Sequence, residues 1–209
     1  MEINLPKKYL SYSQIELWRK NKGEYRRRYY EGKKSPDTVY TMFGRESHEA
    51  IDQDPQYKDI RLPEAEKKML VKVGGVPILG YIDTYDPDTH DFGEYKTGIR
   101  KPDGKPRWTQ HLVNMHDQLP LYSLLIEAEF GVKINKTYLV WLTTEFCENT
   151  IKKGGVTLSK GRKLRLTGEM ERFERRIYQY DRDRMKKLIK TTAKEINDDY
   201  EQWRKGNNQ

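Results

Sequence analysis

Cysteine is almost absent from this chain of 209 residues, which contains only Cys147. A single thiol cannot form an internal disulfide, and by itself it cannot hold a zinc ion or an iron–sulfur cluster. The longest apolar runs, such as residues 138–142, are far shorter than the roughly 20 apolar residues of a membrane-spanning helix. The first residues contain no apolar segment of the signal-peptide type. These absences predict a cytoplasmic protein with no membrane partner.

Hydrophobic residues are also scarce, at 35% of the chain against a usual ~45–50%. Charged residues make up 34%, but 4 Trp, 15 Tyr and 5 Phe argue against disorder. The length suits one domain with a real hydrophobic core. We therefore expect a single domain over 1–209, with a core at about 10–145 and a C-terminal strand and helix over 164–204.

The charge is distributed unevenly, although the net charge is +8. Residues 1–45 carry 11 basic and 5 acidic groups, residues 46–94 carry 5 basic and 12 acidic groups, and residues 149–168 carry six basic groups and no acidic one. Basic surface attracts polyphosphate, whereas an acidic cluster repels it unless a cation lies there. This distribution suits a metal-dependent enzyme that acts on nucleic acid, and it equally suits an ordinary solvated surface of mixed charge.

Hydrophobic periodicity and turn residues predict an ordered series of helices and strands. Helices are predicted over 11–30, 42–52, 109–130 (bent at Pro120) and 181–204, and strands over 66–73, 76–85, 90–96, 134–145 and 164–178. The segments 97–108 and 152–163 are predicted to be loops. This order predicts an α/β fold with a single mixed central sheet flanked by helices.

The most informative stretch is the predicted hairpin that carries Asp83, Glu94 and Lys96. Alternate residues of a strand share a face, so Glu94 and Lys96 point the same way. With a turn at 86–89 that pairs Tyr85 with His90, Asp83 and Glu94 are diagonal neighbours on one face, roughly 7–8 Å apart. Two carboxylates at that spacing can converge on Mg²⁺ or Mn²⁺. Lys96 could then orient a water molecule and stabilise developing charge. The alternative is an ordinary surface hairpin.

The order of motifs resembles a known nuclease family. Asp83 followed by Glu94-Tyr95-Lys96 is similar to the core of the PD-(D/E)XK nuclease superfamily. Three further segments resemble its RecB-like exonuclease branch, in the branch's order: the opening segment 10–15, the G-x-x-x-H element 44–48 and the Q-x-x-x-Y element 118–122.

The resemblance implies a restriction-endonuclease-like core and a role for each matched residue. His48 would be a metal ligand beside Asp83, Glu94 and the main-chain carbonyl of Tyr95. Gln118 and Tyr122, which share a helix face, would approach the DNA backbone or brace the active site. The alternatives without a catalytic role are that His48 is a surface histidine and that Gln118 and Tyr122 are an ordinary pair on one helix face.

The implied activity is a Mg²⁺- or Mn²⁺-dependent deoxyribonuclease, with exonuclease action on single strands or ends, in DNA repair, recombination or phage DNA processing. Some RecB-like nucleases hold an iron–sulfur cluster, but residues 21–23 read Asn-Lys-Gly where a Cys-Pro pair would stand, so we expect no cluster. The chain also lacks a GxxxxGK[ST] element, so any helicase would be a separate partner. A bacterial or phage-encoded protein of the host cytoplasm fits this reading.

Basic residues beside aromatics are candidates for DNA contacts. Arg26 lies in the basic, tyrosine-rich segment 25–30, and Lys152 and Lys153 begin the predicted basic loop. No residue is expected to read a base edge, so we expect little sequence specificity. The rival functions are a nuclease-fold module that binds nucleic acid without cutting it, and a scaffold subunit.

Overall fold

A single five-stranded sheet with helices on both faces forms the centre of the computed structural model, which confirms the predicted α/β fold class. The structure describes residues 4–33, 36, 38–153 and 156–207, without the side chains of residues 40, 41, 45 and 149–160. The helices are α1 (Tyr12–Lys20), α2 (Lys22–Tyr29), α3 (Val39–Gln53), a short 3₁₀ helix (Pro55–Ile60), α4 (Gln110–Met115), α5 (Gln118–Phe130) and α6 (Gln179–Asn207). The strands are β1 (Glu64–Val73), β2 (Val76–Tyr85), β3 (Phe92–Gly98), β4 (Lys136–Lys153) and β5 (Val156–Arg176).

The strands lie in the order β1-β2-β3-β4-β5, and only β3 and β4 run parallel. Parallel neighbours need a crossover connection, and α4 and α5 supply it. The β1–β2 hairpin turns at Gly74 and Gly75, whose φ angles of 59° and 89° are the positive values that a two-residue turn of this kind requires. The predicted hairpin at these glycines is thus confirmed, although β1 begins at Glu64 rather than Glu66.

Two of the predicted helices are each divided in two. The helix expected over 11–30 breaks at Asn21, whose side chain accepts a hydrogen bond from the Glu24 amide and so caps α2. The helix expected over 109–130 breaks at residues 116–117. Pro120 does not bend a helix as predicted, because it is the third residue of α5, where its missing N–H would have no helical partner.

The predicted loop over 152–163 is wrong for the residues of this segment that the structure describes, 152–153 and 156–163, because they belong to two long antiparallel strands, whereas residues 154 and 155 lie outside the described residues. β4 continues to Lys153 and β5 resumes at Val156, with pairs that run from Lys153–Val156 to Lys136–Arg176. Gly161 and Gly168 have φ angles of 92° and 88° inside β5, where only glycine adopts such angles easily. Glycines that signalled a loop in the sequence therefore mark irregular points in a continuous strand.

Apolar side chains cover both faces of the sheet. The larger cluster joins β1, β2 and β3 to α1, α5 and α6, and α5 is buried at nine successive positions, 118–126. The smaller cluster, on the other face, contains Tyr95 of β3 together with residues of β4, α3 and the 3₁₀ helix. Glu94 and Lys96 therefore point toward α5, while Tyr95 between them points to the opposite face. None of the helices in the described ranges is long and apolar enough to span a membrane.

Candidate active site

The observed register of β2 and β3 differs from the predicted one, and this changes the relation expected between Asp83 and Glu94. Tyr85 pairs with Phe92, whereas the prediction paired Tyr85 with His90, which is wrong by two residues. The last observed pair is Thr84–Gly93, and the same register continued by one residue would set Asp83 opposite Glu94 rather than diagonal to it. Directly opposed residues share a face and have closer Cβ atoms than diagonal ones. The correction therefore strengthens the predicted pairing of the two carboxylates.

The connection between β2 and β3 is longer than predicted because Asp86 organises a wider turn. Its carboxylate accepts hydrogen bonds from the amides of Asp88 at 2.8 Å and Thr89 at 3.2 Å. His90 then takes a left-handed conformation, with φ of 59°, and its ring nitrogen is 2.7 Å from the hydroxyl of Tyr85. His90 thus closes the turn instead of pairing in the strand.

Asp83 lies at the point where β2 and β3 separate. Its Oδ2 accepts a hydrogen bond from the amide of Tyr95 at 2.6 Å, so the side chain replaces a main-chain partner between the strands. Its Oδ1 is 3.8 Å from Nε2 of His48 on α3. Burial raises the pKa of Asp83 to about 6, even though the Tyr95 amide and the charge of Lys96 act in the opposite direction. The site therefore holds a carboxylate whose ionised form is poorly solvated.

Glu94 is more deeply buried, with 3% of its surface exposed. Its Oε1 accepts hydrogen bonds from Nζ of Lys96 at 2.5 Å and Nε2 of Gln118 at 2.6 Å. Its Oε2 is buried and has no hydrogen-bond partner among the described residues. Burial first, and then the charge of Asp83, raise the pKa of Glu94 to about 7. One oxygen of this carboxylate is thus available to a further electropositive partner.

Gln118, the first residue of α5, connects the acidic and basic groups. Its amide nitrogen donates to Glu94 and, at 3.0 Å, to the hydroxyl of Tyr122, while its amide oxygen accepts from Lys96 at 2.9 Å. Four residues separate Gln118 from Tyr122, which is the spacing that lets both side chains meet on one helix face. This contact agrees with the prediction that these two residues act on one target. It agrees equally with the alternative of a helix-face pair.

Lys96 is the most accessible member of the group, with 27% of its side chain exposed against 10% for Asp83 and 4% for Glu94. Burial alone would lower its pKa, but the adjacent Glu94 carboxylate outweighs burial and raises it. Lys96 therefore carries a positive charge at neutral pH, held between Glu94 and Gln118 and open to solvent on one side.

One acidic residue of the site was missed by sequence reasoning. Glu66 lies within 3.2 Å of Nδ1 of His48, on the side of the imidazole ring away from Asp83. The two-residue turn of the β1–β2 hairpin pairs Val73 with Val76 and so sets Glu66 opposite Asp83 when the register is extended. That turn was recognised in the sequence, so its register could have revealed Glu66.

The predicted metal ligands are brought near one another, but they do not form a closed group. His48 approaches Asp83, and the charge of Asp83 acts on Glu94. Over the described ranges, no three His, Cys, Asp or Glu side chains are grouped so that they could hold a metal ion. Tyr95 contributes its amide to Asp83, and its hydroxyl donates to the carbonyl of Ile60 on the other face of the sheet.

Of the predicted DNA contacts, Gln118 and Tyr122 belong to this group, and Arg26, Lys152 and Lys153 make no described contact with it. Arg26 makes a two-fold ion pair with Asp199 of α6, at 2.9 and 2.5 Å, which fixes α2 against the last helix. Lys152 and Lys153 end strand β4, and their side chains lie outside the described residues. Contact of these three residues with DNA stays a prediction.

No family model matches this chain, and no curated protein matches it. Among solved structures, one described as a "putative exonuclease" from Eubacterium rectale matches with a TM-score of 0.54 and 11% sequence identity, over 91% of this chain and 80% of that chain. Another, the crystal structure of SSO0001, has a TM-score of 0.47 and 18% identity, and covers 93% of this chain and 73% of that chain. The first of these matches shows that the chain shares the α/β fold of the Eubacterium rectale protein, a single mixed sheet flanked by helices.

Proposed function

We propose that this chain is a divalent-metal-dependent nuclease that hydrolyses phosphodiester bonds in DNA. The observation that carries the proposal is the group formed by Asp83, Glu94, Lys96 and Gln118, which places two carboxylates and an ammonium group at one point of the sheet. The match to a fold described as that of an exonuclease supports it. The order of motifs, which resembles the RecB-like branch of the PD-(D/E)XK superfamily, points the same way.

The two carboxylates are donors of the type that a hard divalent cation takes, although no three ligating side chains of the described ranges are grouped around one point. Oε2 of Glu94 is buried without a partner, and both carboxylates have raised pKa values, so a nearby positive charge would stabilise their ionised forms. Carboxylate and carbonyl oxygens are the donors that suit Mg²⁺ or Mn²⁺. Asp83 and Glu94 would hold the cation, together with His48 and the main-chain carbonyl of Tyr95. When bound, it would supply Lewis-acid stabilisation of charge and an activated water.

The remaining groups act on the phosphate and the water. The positive charge of Lys96 can stabilise the negative charge that develops on the phosphate oxygens. This lowers the barrier only if the ammonium group is held in position before the reaction. Gln118 holds it there, because its amide oxygen accepts from Lys96 while its amide nitrogen is bound to Glu94 and Tyr122. Gln118 is therefore a positioning residue.

DNA single strands or ends are the proposed substrate, with exonuclease action as the mode. The net charge of +8 favours binding to a polyphosphate. We propose a role in DNA repair, recombination or phage DNA processing in the cytoplasm of the host cell, with a helicase or recombination protein as a separate partner. The iron–sulfur cluster of some related nucleases has no place in this proposal, since the chain has one cysteine.

The test is a cleavage assay on oligonucleotides labelled at the 5′ or the 3′ end, single-stranded and duplex, with Mn²⁺, Mg²⁺ or EDTA. We expect cleavage that depends on the metal and that starts from an end. Lys96→Ala should lower its rate by a factor on the order of 10²–10³. The control is Lys187→Ala, which removes an exposed lysine of α6.

The outcomes separate the proposal from its rivals. Metal-dependent cutting that Lys96→Ala slows to this extent supports the nuclease. DNA binding without cutting would instead favour a nuclease-fold binding module, a reading that the absence of a closed metal-binding group over the described ranges keeps open. Neither binding nor cutting would favour a scaffold subunit.

A further inference from the structure

A cavity of about 670 Å³ opens beside the candidate active site, between α1, the loop before α4, and α4 itself. We call it the α1–α4 cavity and define it by Tyr12, Arg19, Arg107, Trp108, Met115 and His116. Its volume falls in the ~300–1,000 Å³ range of small-ligand sites. Nothing in the catalytic scheme above uses it.

The walls of the α1–α4 cavity are aromatic and apolar. The ring of His116 lies between two other rings, with centroids 5.6 Å from Tyr12 and 4.9 Å from Trp108. On α4, Leu112 and Met115 have 44% and 68% of their surfaces exposed, so this short helix turns apolar side chains outward into the cavity. Exposed apolar groups that line one concavity are typical of a binding site rather than of a solvated surface.

The rim of the cavity carries three cations and two carboxylates. Arg19 pairs with Asp117 at 3.0 Å, and Lys20 pairs with Glu16 at 2.8 Å. Arg107 donates from Nε to the carbonyl of Ile99 at 2.7 Å, a neutral partner that leaves its positive charge uncompensated by this bond. Flat aromatic walls under a rim with an excess of cations favour a ligand that combines a planar ring with a phosphate.

One hydrogen bond connects this cavity to the catalytic group. The amide of Gln118 donates to Nδ1 of His116 at 3.3 Å, and the side chain of the same Gln118 contacts Glu94 and Lys96. Gln118 therefore connects His116 directly to Glu94 and Lys96, where cleavage is proposed to occur. With Nδ1 acting as an acceptor, the proton of the neutral ring lies on Nε2, which can donate to a carbonyl or ring nitrogen of a ligand.

We propose that the α1–α4 cavity binds an unpaired nucleobase of a single-stranded nucleic acid, stacked on Trp108, while the neighbouring phosphate lies at Lys96. The inference rests on the proposed function, because it is the phosphate at Lys96 that fixes where the adjacent base must lie. A base in a duplex is already stacked and paired, so the cavity selects single strands and frayed ends. The proposed preference for single strands would thus depend on binding of a base in this cavity.

The experiment measures equilibrium binding of a short labelled single strand by fluorescence anisotropy in EDTA, so that no cleavage occurs. Trp108→Ala should raise the Kd roughly 5- to 150-fold, the range expected when one base loses its aromatic partner. Trp108→Phe should restore most of the affinity, because a stacking ring is kept. The matched control is Trp203→Ala, since Trp203 is also half-buried but lies on α6 against Tyr200 and Tyr30.

A strand with abasic sites in place of its nucleosides tests whether the base is what Trp108 contacts. Abasic substitution should weaken binding to the wild-type protein and have little further effect on Trp108→Ala, since both changes remove the same contact. As a second variant that keeps the core intact, Met115→Glu places a carboxylate at an exposed cavity position and should also weaken binding. Its control, Leu70→Glu, adds the same charge at a 60% exposed position of β1.

The results distinguish this inference from the proposed nuclease activity. Base-dependent binding that Trp108→Ala reduces supports the cavity as a base site, whether or not the protein cuts DNA. Metal-dependent cutting together with an unchanged Kd in Trp108→Ala, or equal affinity for normal and abasic strands, would overturn the cavity assignment and leave the nuclease in place. A wild-type protein that binds no single strand overturns it as well.

Discussion

Replacing Glu94 with glutamine removes a buried charge while it keeps the shape of the side chain. Burial, followed by the charge of Asp83, raises the pKa of Glu94 from 4.5 to about 7. A carboxyl group with a higher pKa in the folded than in the unfolded chain holds its proton more tightly in the folded state, so its ionisation destabilises the fold. The metal-free wild type should therefore lose free energy of unfolding, relative to Glu94→Gln, as the pH rises from about 4.5 through about 7.

The size of this effect follows from the same values. One pKa unit corresponds to about 1.4 kcal/mol, so the rise from 4.5 to about 7 amounts to about 3 kcal/mol once Glu94 is fully ionised. Below this window Glu94 is protonated in both states, and the difference between the two proteins should be constant. The free energy of unfolding of Glu94→Gln should therefore increase relative to that of the wild type as the pH rises.

The assay is urea unfolding, followed by circular dichroism in EDTA, from pH 5 to pH 8. Glu49→Gln is the control, because Glu49 lies on the exposed face of α3 and reports the effect of removing a surface carboxylate. Added Mn²⁺ at pH 8 should then raise the free energy of unfolding of the wild type more than that of Glu94→Gln, since a cation that binds the folded state stabilises it. A difference between wild type and Glu94→Gln that does not change with pH would show that the folded chain does not raise the pKa of Glu94.

Other substitutions test the remaining parts of the site. His48→Asn should weaken Mn²⁺ binding about 10-fold or more in calorimetry, and an unaltered affinity would remove His48 from the site. Gln118→Leu should lower the cleavage rate about 10- to 100-fold with little change in the Kd for DNA, and a changed Kd at a normal rate would contradict a positioning role. Arg175→Met should cost about 3–5 kcal/mol in urea unfolding, because the carboxylate of Asp181 loses the buried guanidinium that balances its charge; a loss below about 1 kcal/mol would show that the pair matters little. Lys152→Gln combined with Lys153→Gln should raise the Kd for DNA and reduce the log–log salt slope by about 2, whereas an unaltered slope would exclude these lysines as phosphate contacts.

The central features of the site were accessible from the sequence because they depend on local spacing. Strand alternation alone puts Glu94 and Lys96 on one face, and the structure joins them at 2.5 Å. Helical spacing alone brings Gln118 to Tyr122. Neither relation needs knowledge of distant contacts, since each is set by the geometry of one strand or one helix.

The errors arose where a side chain or a distant strand determines the backbone. Asp86 widens the turn after β2 by accepting two amide hydrogen bonds, which shifts the predicted register by two residues. Glycines at 161 and 168 indicated a loop, but pairing with β4 keeps them in a strand at positive φ. The break between α4 and α5 depends on Arg175, which donates to the carbonyls of Val113 and His116. Arg175 lies 59 residues or more further along the chain, so local sequence does not reveal this contact.

Anomalous diffraction from crystals soaked in Mn²⁺ near neutral pH would locate the cation itself. We expect a manganese peak bound by the carboxylates of Asp83 and Glu94, with Oε2 of Glu94 among its ligands and Lys96 beside it. Crystals in which both carboxylates are ordered, with Oε2 of Glu94 still unliganded and no manganese between them, would contradict this expectation.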